Sequence, residues 1–381
     1  MTDRPIHIAL YHPRSLLGDG GITQSVRALA EGLEAIGYRV TVIYNKGRRG
    51  SDKSNWRPVA HRGIGVLMVP KGLRAALEGV DVVVLHSAWV MHNVLAARTA
   101  AKLGIPYVLA PRGAYDPLIM GRRRRLKKMW WWLFEESLVA RAAGVHVFFD
   151  SQRAHLRSLG YDGAFVVAPN GVRVPDGRTW DGANRGRLAY VGRFDPEHKG
   201  LDLLLEGIAL IPEASRPKMI LRGTDWRGGK IRLQSLVTRL SLESSVEIGP
   251  GIHGEDKWEF ICSSAGFVYP SRWEAFGNSA AEAAALGVPT LVTEYPLGTY
   301  LHSNAAAVMA DRSPRGLATG LISLLAPEAR EIGNNGLKLM TDFTWDAVSR
   351  SWGSQLETVV QSSGNAKHPP QSENRAQPPS S

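Results

Sequence analysis

Short apolar runs alternate along this chain with longer stretches whose apolar residues recur every three to four positions. Residues 6–11 form a strand-like run, and Ile22, Val26, Leu29, Leu33 and Ile36 then share one helix face that ends at Gly37. Residues 38–44 are again rich in β-formers. A strand over 80–85, a helix over 92–103 and a strand over 107–110 repeat the unit, with further short strands at 145–149 and 165–168. Residues 174–187 lack periodicity and are rich in Gly, Asp and Arg, the composition of a linker. Alternation then restarts, with strands at 188–191, 218–221 and 246–248 and helices over 200–211, 230–240 and 258–262. Strand and helix in strict series predict parallel sheets covered on both faces. The expected fold is α/β, with two Rossmann-like domains facing each other across a cleft. An N-terminal domain over 1–174, a linker over 175–187, a C-terminal domain over 188–344, a helix over 345–360 and a disordered tail over 361–381 complete the division.

Composition narrows the setting. The chain has 381 residues, 44% of them hydrophobic, a size that calls for more than one core. Cys262 is the single cysteine, so no intramolecular disulfide forms, which fits a reducing compartment. The first residues are too polar for a signal peptide, and no run approaches the roughly 20 apolar residues that span a bilayer. A cytoplasmic protein is expected. A net charge of +11 favours anionic partners, whether nucleic acid, a membrane face or phosphorylated substrates. No nucleic-acid recognition motif accompanies the charge, so no nucleic acid is expected.

Three loops carry chemistry, because ligands of open parallel sheets bind where strand ends meet helix starts. The stretch 267–292 (FVYPSRWEAFGNSAAEAAALGVPTLV) reads as strand, loop, helix and strand, with Glu274 in the loop and Glu282 on the helix. If that helix is regular, the two acids lie roughly 12 Å apart along its axis. Glycosidase carboxylate pairs lie about 5–9.5 Å apart, so one extended ligand gripped at two diols suits the spacing better. A capping Glu274 and a chance Glu282 are the bland alternative. The second loop, in YVGRFDPEHKGLDLL, places Arg193 and Lys199 before a helix, where they would bind a diphosphate and neutralise its charge as it leaves; an exposed ion-pair partner is the alternative. No Asp-x-Asp triplet is present to hold a divalent metal on such a ligand. The third loop, with Gly18, Gly20 and Gly21, lets backbone approach an anion or serves as a plain turn. Separately, GRRRRLKKMWWW over 121–132 sets Arg122, Arg123, Arg124 and Arg125 beside Trp130 and its neighbours. That run reads either as a membrane-docking surface or as a solvated basic helix face with its tryptophans packed inward.

Gly20-Gly21 before an amphipathic helix, VAPNGV at 167–172, VGRFDPEHKG at 191–200 and PSRWEAFGNSAAEAAALGVP at 270–289 together resemble the retaining glycosyltransferases of family 4, which have the GT-B fold. The resemblance runs from residue 6 to about residue 360. It implies that Glu274 contacts hydroxyls of the donor sugar, that backbone N–H groups around Phe276, Gly277 and Asn278 meet sugar and phosphate, and that Glu282 holds the nucleotide ribose. Arg193 and Lys199 would bind the diphosphate, assisted by Gly20 and Gly21. Donors would be UDP- or GDP-sugars, no metal would be needed, and anomeric configuration would be retained. His86 and Arg112 would fall on the acceptor side, and the helix near Trp345 would cross back to the first domain. The chain departs from relatives at Arg112-Gly113, where several carry His-Gly, at Ala275 and at Thr299–Tyr300. The implied activity is transfer of a sugar to a hydroxyl acceptor in cell-surface polysaccharide, lipopolysaccharide or glycolipid biosynthesis, and the net positive charge with the run over 122–132 points to a glycan or lipid-linked acceptor at the inner face of the cytoplasmic membrane. A nucleotide-sugar-binding scaffold without turnover is the alternative.

Overall fold

The computed structural model describes residues 4–13, 21–45, 55–121, 124–175, 177–182 and 186–365. Gly18, Gly20, Arg122, Arg123 and the tail beyond residue 365 lie outside them. The first sheet has eight strands: β1 (His7–Tyr11), β2 (Arg39–Asn45), β3 (Trp56–Arg62), β4 (Val69–Lys71), β5 (Val82–His86), β6 (Tyr107–Ala110), β7 (Gly144–Val147) and β8 (Phe165–Val167). Their spatial order is β4-β3-β2-β1-β5-β6-β7-β8, and every pairing is parallel except β3 with β4. The second sheet has six parallel strands: β9 (Arg187–Val191), β10 (Lys218–Gly223), β11 (Val246–Pro250), β12 (Gly266–Tyr269), β13 (Thr290–Val292) and β14 (Val308–Met309), in the order β11-β10-β9-β12-β13-β14.

Successive side chains of a strand point to opposite faces, and the central strands of the first sheet show this. Ala9, Tyr11, Val83 and Leu85 enter one layer, while Ile8, Leu10, Val82 and Val84 enter the other. Both layers are dry, which is why β1 and β5 are continuous apolar runs rather than alternating ones. The second layer is closed by two helices, Gly21–Ala35 and Trp345–Asn365. Trp352 stacks on His146 at 4.6 Å, and the Gln355 amide accepts from the Val167 N–H at 2.8 Å and donates to its carbonyl at 3.0 Å. The last helix therefore lies on the first sheet. It runs to Asn365, so residues 361–365, expected in the tail, are helical: hydrogen bonding propagates past Val359, the last buried apolar side chain among the described residues.

The β3–β4 hairpin leaves no alternation in the sequence, because only Trp56 and Val59 of its longer strand are buried and Arg57, Pro58 and His61 interrupt the pattern. Helices Pro296–Ser303 and Ala329–Leu339 were likewise unanticipated, and Gly254–Cys262 begins four residues before the helix expected over 258–262.

In each sheet the strand order reverses once, between β1 and β5 and between β9 and β12. Loops leaving neighbouring strands there diverge to opposite faces and open a crevice. Phe148 and Phe149, just after β7, pack on Phe276 of the second domain at 5.4 and 5.9 Å and fix the two crevices against each other. Within the second sheet, Gly200 makes the loops after β9 and β12 touch. Its φ is +63°, and a Cβ there would lie 2.0 Å from the Pro270 carbonyl oxygen. Gly200→Ala is expected to lower unfolding free energy by about 2 kcal/mol or more, through left-handed strain and the clash together. A urea midpoint unchanged from wild type would show that the two loops part freely.

Candidate active site between the two sheets

The loop from β9 to helix Leu201–Leu210 carries Arg193 and Lys199; the loop from β12 to helix Asn278–Ala285 carries Glu274. Side chains staple the two. The His198 ring bonds the Trp273 carbonyl at 2.8 Å, the Arg272 N–H donates to the His198 carbonyl at 3.0 Å, and the Arg272 guanidinium grips Asp202 through two bonds of 2.6 and 2.9 Å. This brings Lys199 and Glu274 into a buried ion pair. The Lys199 ammonium also donates to the Tyr269 hydroxyl at 2.8 Å, and the Ser271 hydroxyl donates to Glu274 at 2.6 Å. Burial pushes the Glu274 carboxyl up, but the Lys199 charge and the bonds from Lys199 and Ser271 outweigh it, so the group titrates below its ordinary value.

Glu282, on helix Asn278–Ala285, forms an ion pair with Lys257 of helix Gly254–Cys262. Burial raises the Glu282 carboxyl, and Lys257 opposes the rise without cancelling it. Arg193 is exposed, its guanidinium 4.6 Å from the Trp226 ring centre rather than beside Glu274. The Phe276 side chain belongs to the aromatic joint with Phe148 and Phe149, leaving its backbone for the cleft. Gly277 (φ +102°) turns the chain into the helix that starts at Asn278.

The first domain meets this loop at Gly21, the first residue of its helix. A Cβ there would lie 3.2 Å from the Asn278 amide nitrogen, so two helix amino ends face each other. The Asn278 amide oxygen accepts from Asn170 at 3.0 Å, and Asn170 in turn accepts from Arg112 at 3.0 Å. His86 and Arg112, expected to face an acceptor, are instead buried in this network. Arg112 donates to His86 Nδ1 at 3.3 Å, which requires a neutral imidazole, and burial with the adjacent Arg112 charge lowers the His86 pKa well below its usual value. Burial also brings Arg112 down to about 10.

The membrane-docking expectation changes at Trp130. Its indole N–H donates to the buried Glu135 carboxylate at 2.9 Å, and Tyr115 and the Trp89 N–H donate to the same group at 2.6 and 3.1 Å. Trp130 is therefore tied inward, whereas Trp132 is 75% exposed, with Leu118, Leu126, Met129 and Leu133 also exposed. Arg125 is exposed on the same helix. Spacing gave no cue to Lys257, which is 25 residues from its partner. Ser271 and Glu135 also went unmarked, Ser271 despite its place three residues before Glu274. Among the described residues no cluster of His, Cys, Asp or Glu could hold a metal ion, and no helix is long and apolar enough to cross a membrane.

Residues 20–171 match the family described as glycosyl transferase 4-like domain, and residues 185–327 match glycosyl transferases group 1. The two matches together span most of the chain, which is built of these two glycosyltransferase domains and has the GT-B fold. It is 28% identical over 304 residues to the D-inositol 3-phosphate glycosyltransferase of Kineococcus radiotolerans, covering 71% of this chain and 65% of that protein. It is 26% identical over 165 residues to O-antigen chain mannosyltransferase B of Escherichia coli, covering 42% of this chain and 43% of that one. The matched stretches thus span 43% and 65% of these relatives' own length. In three dimensions the chain resembles sucrose-phosphate synthase from Thermosynechococcus elongatus (TM-score 0.73, 19% identity, 94% of this chain and all of that one). It also resembles Anabaena HepE in complex with UDP-glucose (TM-score 0.71, 16% identity, 93% of this chain and all of that one).

The Lys199–Glu274 pair yields a pH signature. Because the folded Glu274 value is depressed, the stability it adds is present above the unfolded carboxylate pKa of about 4.3 and is lost as pH falls through the folded value. Glu274→Gln is expected to flatten that acid limb in urea midpoints measured against pH. Near neutrality it should cost about 3–5 kcal/mol, because Lys199 stays buried without its counter-charge. Parallel acid limbs in wild type and variant would refute the assignment.

Proposed function

We propose that this protein is a retaining glycosyltransferase that moves a sugar from a nucleotide-diphosphosugar to a hydroxyl acceptor without a metal ion. The observation that carries the reading is the meeting of two helix amino ends, at Gly21 and Asn278, across the two domains, on the loop that carries Glu274 in its ion pair with Lys199. Free N–H groups and aligned helix dipoles at such ends hold anions, and a diphosphate fits their number. Lys199 and Arg193 neutralise the charge that grows on the departing diphosphate. Glu274 accepts hydrogen bonds from the sugar and Glu282 from the ribose, since ionised carboxylates only accept. Backbone N–H groups at Phe276, Gly277 and Asn278 meet sugar and phosphate. The bond from the anomeric carbon to the phosphate oxygen breaks as the acceptor oxygen attacks the same face, and the acceptor proton passes to that phosphate oxygen. Donors with UDP or GDP both fit this scheme, and UDP-glucose is what the HepE structure contains.

The acceptor is proposed to be lipid-linked, within polysaccharide, lipopolysaccharide or glycolipid synthesis at the inner face of the cytoplasmic membrane. Leu118 lines the cleft and is also exposed at the start of the segment that presents Leu126, Met129, Trp132 and Leu133. Arg125 and Lys128 flank these side chains, which fits an anionic lipid surface.

Glu282→Ala is expected to weaken binding of UDP- or GDP-sugars about 10–100-fold with little loss of fold, the worth of hydrogen bonds to a charged group. Unchanged donor affinity by calorimetry would refute the ribose assignment. In flotation with phosphatidylglycerol-containing vesicles, the combined variant Met129→Ser, Trp132→Ser and Leu133→Ser should stay in the soluble fraction while wild type floats. Equal flotation would sink the docking surface.

A further inference from the structure

Four large apolar side chains at the tip of the β3–β4 hairpin face water: Ile64, Val66, Leu67 and Val69. Ile64, at 88%, is the most exposed large apolar side chain among the described residues. The backbone holds them there. Residues Gly65–Leu67 form a single 3-10 turn in which the Leu67 N–H donates to the Ile64 carbonyl at 3.3 Å, and the turn packs beside helix Met91–Lys102. Next to the tip, Val69 helps line a cavity of about 450 Å³ with Leu95, Arg74, Arg98 and Lys102 and no carboxylate. Arg62, opposite Val69 in the hairpin, and Lys71 add two exposed cations. None of these five cations has a side-chain hydrogen bond or an ion pair with any described residue. Neither residues 56–77 nor residues 91–102 contain an Asp or a Glu.

Topology sets where the tip stands. β3 runs parallel to β2, and through it to β1, β5 and β6, so its carboxyl end lies on the sheet edge that opens into the cleft. The segment that presents Leu126, Met129, Trp132 and Leu133 follows β6 and leaves the same edge. Four strand spacings separate β3 from β6, roughly 19 Å. Two apolar features flanked by cations therefore stand at one edge of one domain, on either side of β1 and β5.

A contiguous exposed apolar patch marks an interaction surface. Strand addition by a second copy is disfavoured, because Pro70 of β4 has no N–H to offer and Lys71 sets a charge on that edge. Cations without counter-charges around an apolar centre instead match an anionic bilayer, whose phosphates lie just outside its acyl chains.

We propose that the β3–β4 tip is a second lipid-docking element: Ile64, Val66 and Leu67 enter the acyl boundary of a bilayer, and the cations around the flanking cavity take the phosphates of anionic lipids. The inference extends the lipid-surface reading above with a contact made by separate residues. Two contacts on one rigid domain reinforce each other, so removing either weakens the whole attachment.

The test is flotation of the full chain with phosphatidylglycerol–phosphatidylcholine vesicles. The combined variant Ile64→Ser, Val66→Ser and Leu67→Ser is expected to bind about tenfold or more weakly than wild type. The combined variant Arg74→Ser, Arg98→Ser and Lys102→Ser should bind about a hundredfold more weakly, the worth of three cations near an anionic surface. All six side chains are exposed, so both variants should keep the wild-type thermal midpoint. A fluorophore on Ile64→Cys, in a Cys262→Ser background, should shift to the blue on these vesicles and stay unshifted on adding inorganic phosphate. Wild-type vesicle binding by either combined variant would overturn the inference alone, whether or not the Trp132 face docks. Dimerisation of wild type in sedimentation that the apolar variant loses, with its vesicle binding kept, would give this face to a second copy and overturn it too. A wild type that binds no vesicles would overturn it together with the lipid-linked acceptor.

Discussion

The second domain's edge of the cleft depends on one contact, the buried ion pair between Lys199 and Glu274. Taking both charges out of water costs several kcal/mol each, and their attraction repays this only with good geometry and further hydrogen bonds. Those bonds come from Tyr269 and Ser271. The geometry comes from the reversal of strand order between β9 and β12, which sets the two loops side by side, and from Gly200, which lets them touch. An apolar pair would hold the same loops together at lower cost. What the charged pair adds is chemical: the Lys199 charge keeps the buried Glu274 carboxyl ionised.

The first domain answers with a different device. Arg112, Asn170 and Asn278 form a buried chain of hydrogen bonds from one domain to the other, with neutral His86 behind it. Such a chain is rigid because breaking any link strands a buried polar group. Arg112 acts as a joint here, and its guanidinium is flanked by Phe148 and Trp352 rather than by open space. The cleft itself is lined by other side chains, including Tyr115, His155, Trp273 and Tyr295.

Much of this was legible in the chain because it depends on neighbours in sequence. The central strands announce themselves as apolar runs, being buried on both faces. The two acids of the Glu-x₇-Glu pattern lie on one short loop-and-helix unit, so their spacing survives folding. Lys257, Asn170 and Arg112 take their meaning from partners 25 to 108 residues away, and no local periodicity encodes such pairings. The β3–β4 hairpin was illegible for another reason: at a solvated edge the alternation that reveals a strand is diluted by Pro58, His61 and Arg62.

The tryptophan run shows how a buried charge can decide what a surface presents. Burial raises the Glu135 carboxyl, and among the described residues its hydrogen bonds come from neutral donors: the Tyr115 hydroxyl, the Trp89 N–H and the Trp130 indole. Reaching them coincides with a widened π-helical turn over Trp131–Glu135. Trp131 then joins Trp89 and Tyr115 in the core, at 6.0 and 5.6 Å. With Trp130 and Trp131 committed inward, the same turn carries Trp132 and Leu133 outward beside Met129. The apolar face offered to solvent is thus set from inside, by the hydrogen bonds that one buried carboxyl group requires.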